Sequence, residues 1–336
     1  MASDGSEFKA QNEFVLFVPL LWLTCDGSKV LPMAKVSLII PTFSRPHLLP
    51  RSVESALKAG SGVEVIVVDD ASTDETASVC RTLRDIKYVR LDSNRGVAGA
   101  RNEGISASTG EYIGFLDDDD LRLPDSIDAQ VKLLEAHRDA GMVYGRALYG
   151  DEQCRPKGGS YPDECPQGDI FWELMEWNFV PCLTVIFRRS CLERVGLLDE
   201  SGAGVDDWDL WVRISELYPV LATEQAVAIW RQPTPTSGQF SFQTERMHRR
   251  AHRLHRDKWL RLPRAMEASE ERRNQASRAF ADRATQQMIS EASSRYRAGR
   301  TLDSIRIALE MARLHPRAAF RHALRPSIGS SNVVSN

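Results

Sequence analysis

Short apolar runs recur along the first half of the chain, and segments of helical spacing lie between them. KVSLIIP (Lys35–Pro41) is rich in β-branched residues and stopped by proline, which predicts a buried strand. HLLPRSVESALKAG then reads as a helix closed by Gly60. VEVIVVDD predicts a second strand that ends on Asp69 and Asp70. Ser72 and Glu75 have the S-x-x-E spacing of a capping box, which predicts a helix opening there and running to Arg84. IKYVRL, EYIGFL and MVYGRALYG predict three more strands. Between them, VAGARNEGISAS is a helix of small residues able to pack close to its neighbours. LPDSIDAQVKLLEAHRDAG is a helix with Pro124 near its first turn and Gly141 at its end.

Strands that alternate with helices predict an α/β fold: a mostly parallel sheet flanked by helices on both faces. Ligands of open α/β sheets bind outside the carboxyl ends of the strands. Here those ends read PTFSR, DDAS, LDSNRG and DDDD, and three of the four are acidic. Residues 150–235 are less regular and hold five of the seven tryptophans, as expected of an acceptor-binding half built partly from loops. From about Phe240 the chain turns helical and basic. Ser290–Pro316 has the spacing of a single tetratricopeptide-like helix pair around Gly299. The expected organisation is a leader or tag-like extension (1–33), a catalytic domain (34–240), a basic helical extension (241–326) and a disordered tail (327–336).

Charge sharpens this division. The net charge of −3 conceals a segment, 245–325, with 20 Lys and Arg against 9 Asp and Glu, so the remainder carries −14. A basic helical tail on an acidic body can hold an anionic partner. A lipid-linked acceptor, an anionic polysaccharide or the inner membrane face all qualify, so peripheral membrane contact is an expectation. Nucleic acid is not expected, because few aromatics interleave the arginines. FVLFVPLLWL (Phe14–Leu23) is too short to span a bilayer, which needs about 20 residues. GSEF (Gly5–Phe8) reads as a cloning junction. Six cysteines without a C-x-x-C pair suit reduced thiols and a cytoplasmic setting.

The candidate chemistry lies at the acidic strand ends. No G-x-G-x-x-G loop follows the first strand and there is no Walker loop, so another device must hold phosphate. Adjacent carboxylates can do so through a divalent cation, since Mg²⁺ is commonly held by one or two carboxylates plus substrate phosphates. Asp117–Asp120 supply that cluster; a solvated acidic loop is the plainer alternative. Asp69 and Asp70 stand where a carboxylate can accept hydrogen bonds from a base or ribose. Arg95, Arg101 and Asn102 share the same rim. In GVDDWDLWVRI, Trp208 and Trp211 sit one helical turn apart and are expected to pack. Asp206 and Asp207 precede that helix at its positive end, where an ionised carboxylate is stabilised and can act as a general base.

Together VSLIIPTFSR, VIVVDDASTDET, NRGVAGARNEGI, GEYIGFLDDDDLRLPD, FRRSCLERVGLLDE and DDWDLWVRI resemble the family 2 glycosyltransferases of GT-A fold, over about Val36 to Trp230. The resemblance implies inverting transfer from a nucleotide-diphosphate sugar, a UDP-sugar in the first place, with Mn²⁺ or Mg²⁺. It implies that Pro41 and Thr42 line the nucleotide pocket and that Asp70 contacts the base with Asp69 beside it. Asp117–Asp119 match the DxD element, with Asp119 and Asp117 as metal ligands and Asp118 near the ribose. Asp207 matches the catalytic base, and Asp206 stands where Glu is usual. The membrane-embedded synthases of the family carry Q-x-x-R-W and transmembrane helices, and neither is found in this sequence. That implies a soluble enzyme adding one sugar at a time, in cell-surface polysaccharide or glycoconjugate synthesis. The competing readings are a sugar nucleotidyltransferase, which lacks its glycine-rich loop here, and a degenerate, non-catalytic scaffold.

Overall fold

The computed structural model describes residues 35–202, 204–232 and 244–323. The expected leader (1–33) and tail (327–336) lie outside the described residues.

Four parallel strands form the first half of the sheet, in the order β3 (Ile86–Arg90), β2 (Val63–Asp69), β1 (Val36–Thr42) and β4 (Tyr112–Phe115). Every residue of β1 and β4 is buried, as expected of strands covered on both faces. Alternate residues supply the two cores. Ile39, Ile66 and Val68 face one hydrophobic cluster, while Leu38, Ile40, Val65 and Val67 face the other. Helices α1 (Leu49–Leu57), α2 (Thr76–Thr82) and α3 (Gly96–Ala107) connect these strands. The small residues of α3 do allow close packing: a Cβ at Gly104 would collide with Ile39 and crowd Val68.

Two helix starts differ from expectation. Ser72 does not cap α2, which begins at Thr76. Asp74 Oδ1 instead accepts from the Thr76 amide at 3.0 Å and the Thr76 hydroxyl at 2.5 Å. Ser72 Oγ is taken by the Ser44 amide, which joins the loops after β1 and β2. The later helix, α4 (Ser126–Ala136), starts beyond Pro124 because Asp125 adopts a left-handed φ of 56°.

The second half of the sheet is mixed. The two-residue β5 (Leu121–Arg122) follows the aspartates and pairs antiparallel with β9 (Val220–Arg231). Strand β6 (Met142–Gly150) runs parallel to β9 and antiparallel to β7 (Pro156–Tyr161) and β8 (Ile186–Arg188), and β8 joins β4 to complete the sheet. Helices α5 (Phe171–Glu176), α6 (Cys191–Val195) and α7 (Asp206–Leu217) lie in this half. Trp208 and Trp211 of α7 are both buried but do not share partners. Trp211 packs on Phe115 and Phe187, whereas Trp208 packs on Trp177, Trp259 and Phe280.

The basic region is helical: α8 (Thr244–Asp257), α9 (Pro263–Glu267), α10 (Glu270–Arg297), α11 (Thr301–Leu314) and α12 (Pro316–Ala323). Gly299, at φ +76°, turns the chain between α10 and α11, the pair expected around that glycine. Trp259 and Phe280 belong to the same buried cluster as Ile39 and Phe115, so these helices share the core of the sheet. Among the described residues no helix is long and apolar enough to cross a membrane.

Candidate functional site

Pairing fixes where β4 delivers its aspartates. Leu116 still donates to the Ile39 carbonyl of β1, and the next residue is Asp117. Beyond the sheet the four carboxylates meet three arginines, and Arg45 and Arg231 are each shared by two of them. Asp117 accepts from Arg101 Nη2 at 2.8 Å and remains 44% exposed. Asp118 is buried and accepts from Thr42 Oγ1 at 2.7 Å and Arg45 Nη1 at 3.0 Å. Asp119 lies 3.5 Å from Arg45 Nη1 and 3.4 Å from Arg231 Nη1. Asp120 is buried and accepts from the Arg231 amide at 2.8 Å. Burial raises the Asp118 carboxyl to about 7, and burial followed by the neighbouring carboxylates raises those of Asp119 and Asp120.

Arg101 joins this cluster to α7. Its Nη1 donates to Asp206 Oδ2 at 2.9 Å while its Nη2 holds Asp117, and its guanidinium lies 5.3 Å from the centre of the Phe115 ring. Arg101 and Asp206 are both almost fully buried, at 5% and 2% side-chain exposure, so the pair is desolvated and each charge depends on the other. Asp207, next on α7, is half-buried and accepts from the Trp208 amide at 2.7 Å. Burial, then Asp206, raises its carboxyl to about 7. Asp206 and Asp207 occupy the first turn of the helix rather than preceding it.

Thr42, Arg101, Asp117, Asp118, Asp119, Asp206 and Asp207 are therefore connected through shared partners or adjacency in the chain. Pro41 lies beside them on β1. The remaining candidates build loops. Asp69 has no exposed surface, and its oxygens accept from the Ser72 amide and the Tyr88 hydroxyl, both at 2.8 Å, which leaves it no face toward a ligand. Asp70 receives the amides of Arg95 and Gly96 at 2.7 and 2.8 Å and so holds the start of α3 beside Thr42. Asn102 exchanges two 3.0 Å hydrogen bonds with the backbone of Leu198. The Arg95 side chain pairs with Glu200 at 2.5 Å and Glu103 at 3.3 Å, away from the acidic cluster.

Sequence reasoning missed Arg45, Arg231 and Cys182. Arg45 stands in the PTFSR strand end, where its charge beside an acidic cluster was a signal. Arg231 arrives only through the pairing of β5 with β9, more than 100 residues along the chain. Cys182 gave no signal. Burial pushes its thiol well up, and Arg101, Asp207, Asp117 and Asp206 act on it electrostatically.

The donor set at the strand end is carboxylate oxygen, the hard ligand that suits Mg²⁺ or Mn²⁺. Among the described residues no three His, Cys, Asp or Glu side chains converge into a ready-made cage. A cation shared between one or two carboxylates and a diphosphate needs none. Asp117 and Asp119 fit such a cation: one is open to solvent, and burial, then the charge of Asp117, raises the carboxyl of the other, a repulsion that a cation relieves.

Residues 37–195 match the profile of glycosyl transferase family 2. The UDP-Glc:alpha-D-GlcNAc-diphosphoundecaprenol beta-1,3-glucosyltransferase WfaP of Escherichia coli is 30% identical over 189 residues, which cover 54% of this chain and 70% of that protein. The chain spans only 27–31% of the length of three glycosyltransferases from Rickettsia species that it matches. Among solved structures, residues 1–349 of S. aureus TarS superpose with a TM-score of 0.59 at 18% identity, covering 84% of this chain and 81% of that one. The same TarS fragment has been solved with UDP-GlcNAc. The mannosyltransferase PcManGT of Pyrobaculum calidifontis, solved with GDP-Man and Mn²⁺, superposes with a TM-score of 0.51 at 22% identity, covering 83% and 87%. At these identities the structural likenesses speak for the fold.

Proposed function

The chain belongs to glycosyl transferase family 2, and on that footing we propose that it moves a sugar, with inversion, from a nucleotide-diphosphate donor to an acceptor hydroxyl. The observation that carries this reading is the Arg101 bridge, because it ties the acidic strand end to the start of α7 through one guanidinium. A transferase needs a diphosphate site and a base side by side, and a scaffold has no use for either.

In the proposed reaction Thr42 and Asp118 border the nucleotide, and Asp70 shapes the adjoining loop. Asp119 and Asp117 would hold Mn²⁺ or Mg²⁺, which when bound supplies positive charge to the leaving diphosphate. Asp207 accepts the proton of the acceptor hydroxyl as its oxygen bonds to the anomeric carbon and the bond from that carbon to the diphosphate oxygen breaks. A carboxyl near 7 is matched to this task at neutral pH. Asp206, neutralised by Arg101, orients the turn that carries Asp207. The relatives favour a UDP-sugar donor and a lipid-linked diphosphate acceptor, hence a role in cell-surface polysaccharide or glycoconjugate synthesis.

The test is transfer and donor hydrolysis across UDP-, GDP- and dTDP-sugars with Mn²⁺. EDTA should abolish turnover and Mn²⁺ should restore it. Asp119→Ala should weaken UDP binding in Mn²⁺ far more than in EDTA. Full turnover in chelator would overturn the metal assignment, and turnover of no donor would leave the scaffold reading in place.

A further inference from the structure

A concave site lies among the basic helices, outside the acidic cluster. Its volume is about 670 Å³, within the usual range of ligand pockets, and α8, α10 and the junction of α11 with α12 form its walls. Arg256, Arg278, Arg317 and Arg321 line it together with His255 and His315. Arg321 is partly balanced by Asp282 at 2.6 Å and Arg256 by Asp257 at 2.7 Å. Arg278 and Arg317 form no ion pair among the described residues. Among the described residues no carboxylate lines the cleft, and every charged side chain in its wall is an arginine.

Two further observations point to a ligand. His255 and His315 are each 4% exposed, and Nε2 of each is buried with no hydrogen-bond partner among the described residues. Buried polar atoms are nearly always satisfied, so two orphaned imidazole nitrogens lining one cleft call for a group to bond. Helix α12 also begins in this wall. Pro316 opens it, and the amides of Arg317 and Ala318 come before its first intrahelical bond. Arginine forks and a helix start are donors, the imidazole nitrogens can donate as well, and Asn274 and Ser277 are the lining side chains that can also accept. Phosphate, with several acceptor oxygens and up to two negative charges, answers that set.

We propose that this cleft is a binding site for a phosphate ester, separate from the donor site at Asp117–Asp119. The volume admits a diphosphate with part of the group it carries. Phe280, in its wall, lies 6.0 Å between ring centres from Trp208 of α7, the residue after Asp207.

The full chain is titrated in EDTA, which silences a metal-dependent donor site. One arm uses inorganic phosphate and glycerol phosphate in solution. The other uses flotation with phosphatidylcholine vesicles, with and without phosphatidic acid. Helix α11 leaves Leu302, Ile305 and Leu309 exposed at one-turn spacing, which suits a phosphate carried on a lipid. Arg278→Ala/Arg317→Ala should weaken binding at least tenfold, and both side chains are exposed and form no ion pair among the described residues, so the fold should survive. Arg81→Ala/Arg84→Ala removes the same charge elsewhere and should change binding less than twofold. Asp119→Ala should leave binding intact, which separates this proposal from the donor-site reading. A cleft-dependent loss in solution assigns a free phosphate ester, and one seen only with phosphatidic acid assigns a lipid phosphate. Equal losses in both double variants, or no binding in either arm, would overturn the proposal.

Discussion

Asp207 carries the sharpest expectation at the scale of single residues. Burial and Asp206 hold its carboxyl near 7, so a proton must leave it before it can act as a base. kcat/KM should therefore fall as the pH drops through about 7 and level off above it. Asp207→Asn should lower kcat by about 10²–10⁴-fold, abolish that acid limb and leave UDP affinity nearly unchanged. Larger damage from Asp206→Asn would move the base by one residue. Arg101 makes a different prediction. Arg101→Met keeps the contact with Phe115 but strands Asp206 in a desolvated place, which costs about 3–5 kcal/mol when one partner of a buried pair is removed. Urea denaturation would measure it. A loss below about 1 kcal/mol would mean that water or another cation reaches Asp206.

Among the elements, α7 is held from two sides. Trp211 packs on Phe115 and Phe187 of the sheet, and Trp208 packs on Trp259 and Phe280 of the basic helices. Phe280→Ala should destabilise by about 3–5 kcal/mol, the usual cost of emptying a buried aromatic site. It should also shift the tryptophan emission, since Trp208 and Trp259 both lose a neighbour. Such couplings mark the boundary of what the sequence could show. The strands of the first half were legible because β-branched runs between turn signals have few alternatives, and the DDDD end was legible because its charge has no local use. The capping box failed because Ser72 found a better partner in the Ser44 amide across two loops. Asp69 and Asn102 meet the same limit: residue type shows what a side chain can bond, and only the fold shows that Tyr88 and Leu198 reach them. Arg231 was invisible because its approach to Asp119 depends on a two-residue strand pairing with β9.

At the scale of the molecule, the division between an acidic body and a basic tail is one of charge and not of packing. Sheet and tail share a single cluster that runs from Ile39 through Trp211 and Trp259 to Phe280. Ending the chain after Leu262 removes Phe280 from Trp208 while leaving the β1 and β4 strand ends as they are. The two parts of the proposed active site should respond differently. Thr42, Arg45 and Asp117–Asp119 hang from the sheet, so UDP affinity in Mn²⁺ should change by less than about tenfold. Asp206 and Asp207 sit on the helix that loses its outer packing, so kcat should fall by more than that, because a small misplacement of a catalytic group can cost about 10²-fold. Calorimetric titration with UDP set beside the transfer rate would check it. If affinity and rate collapse together, the basic helices support the whole fold. If neither changes, α7 is positioned by Trp211 and the Arg101–Asp206 pair alone.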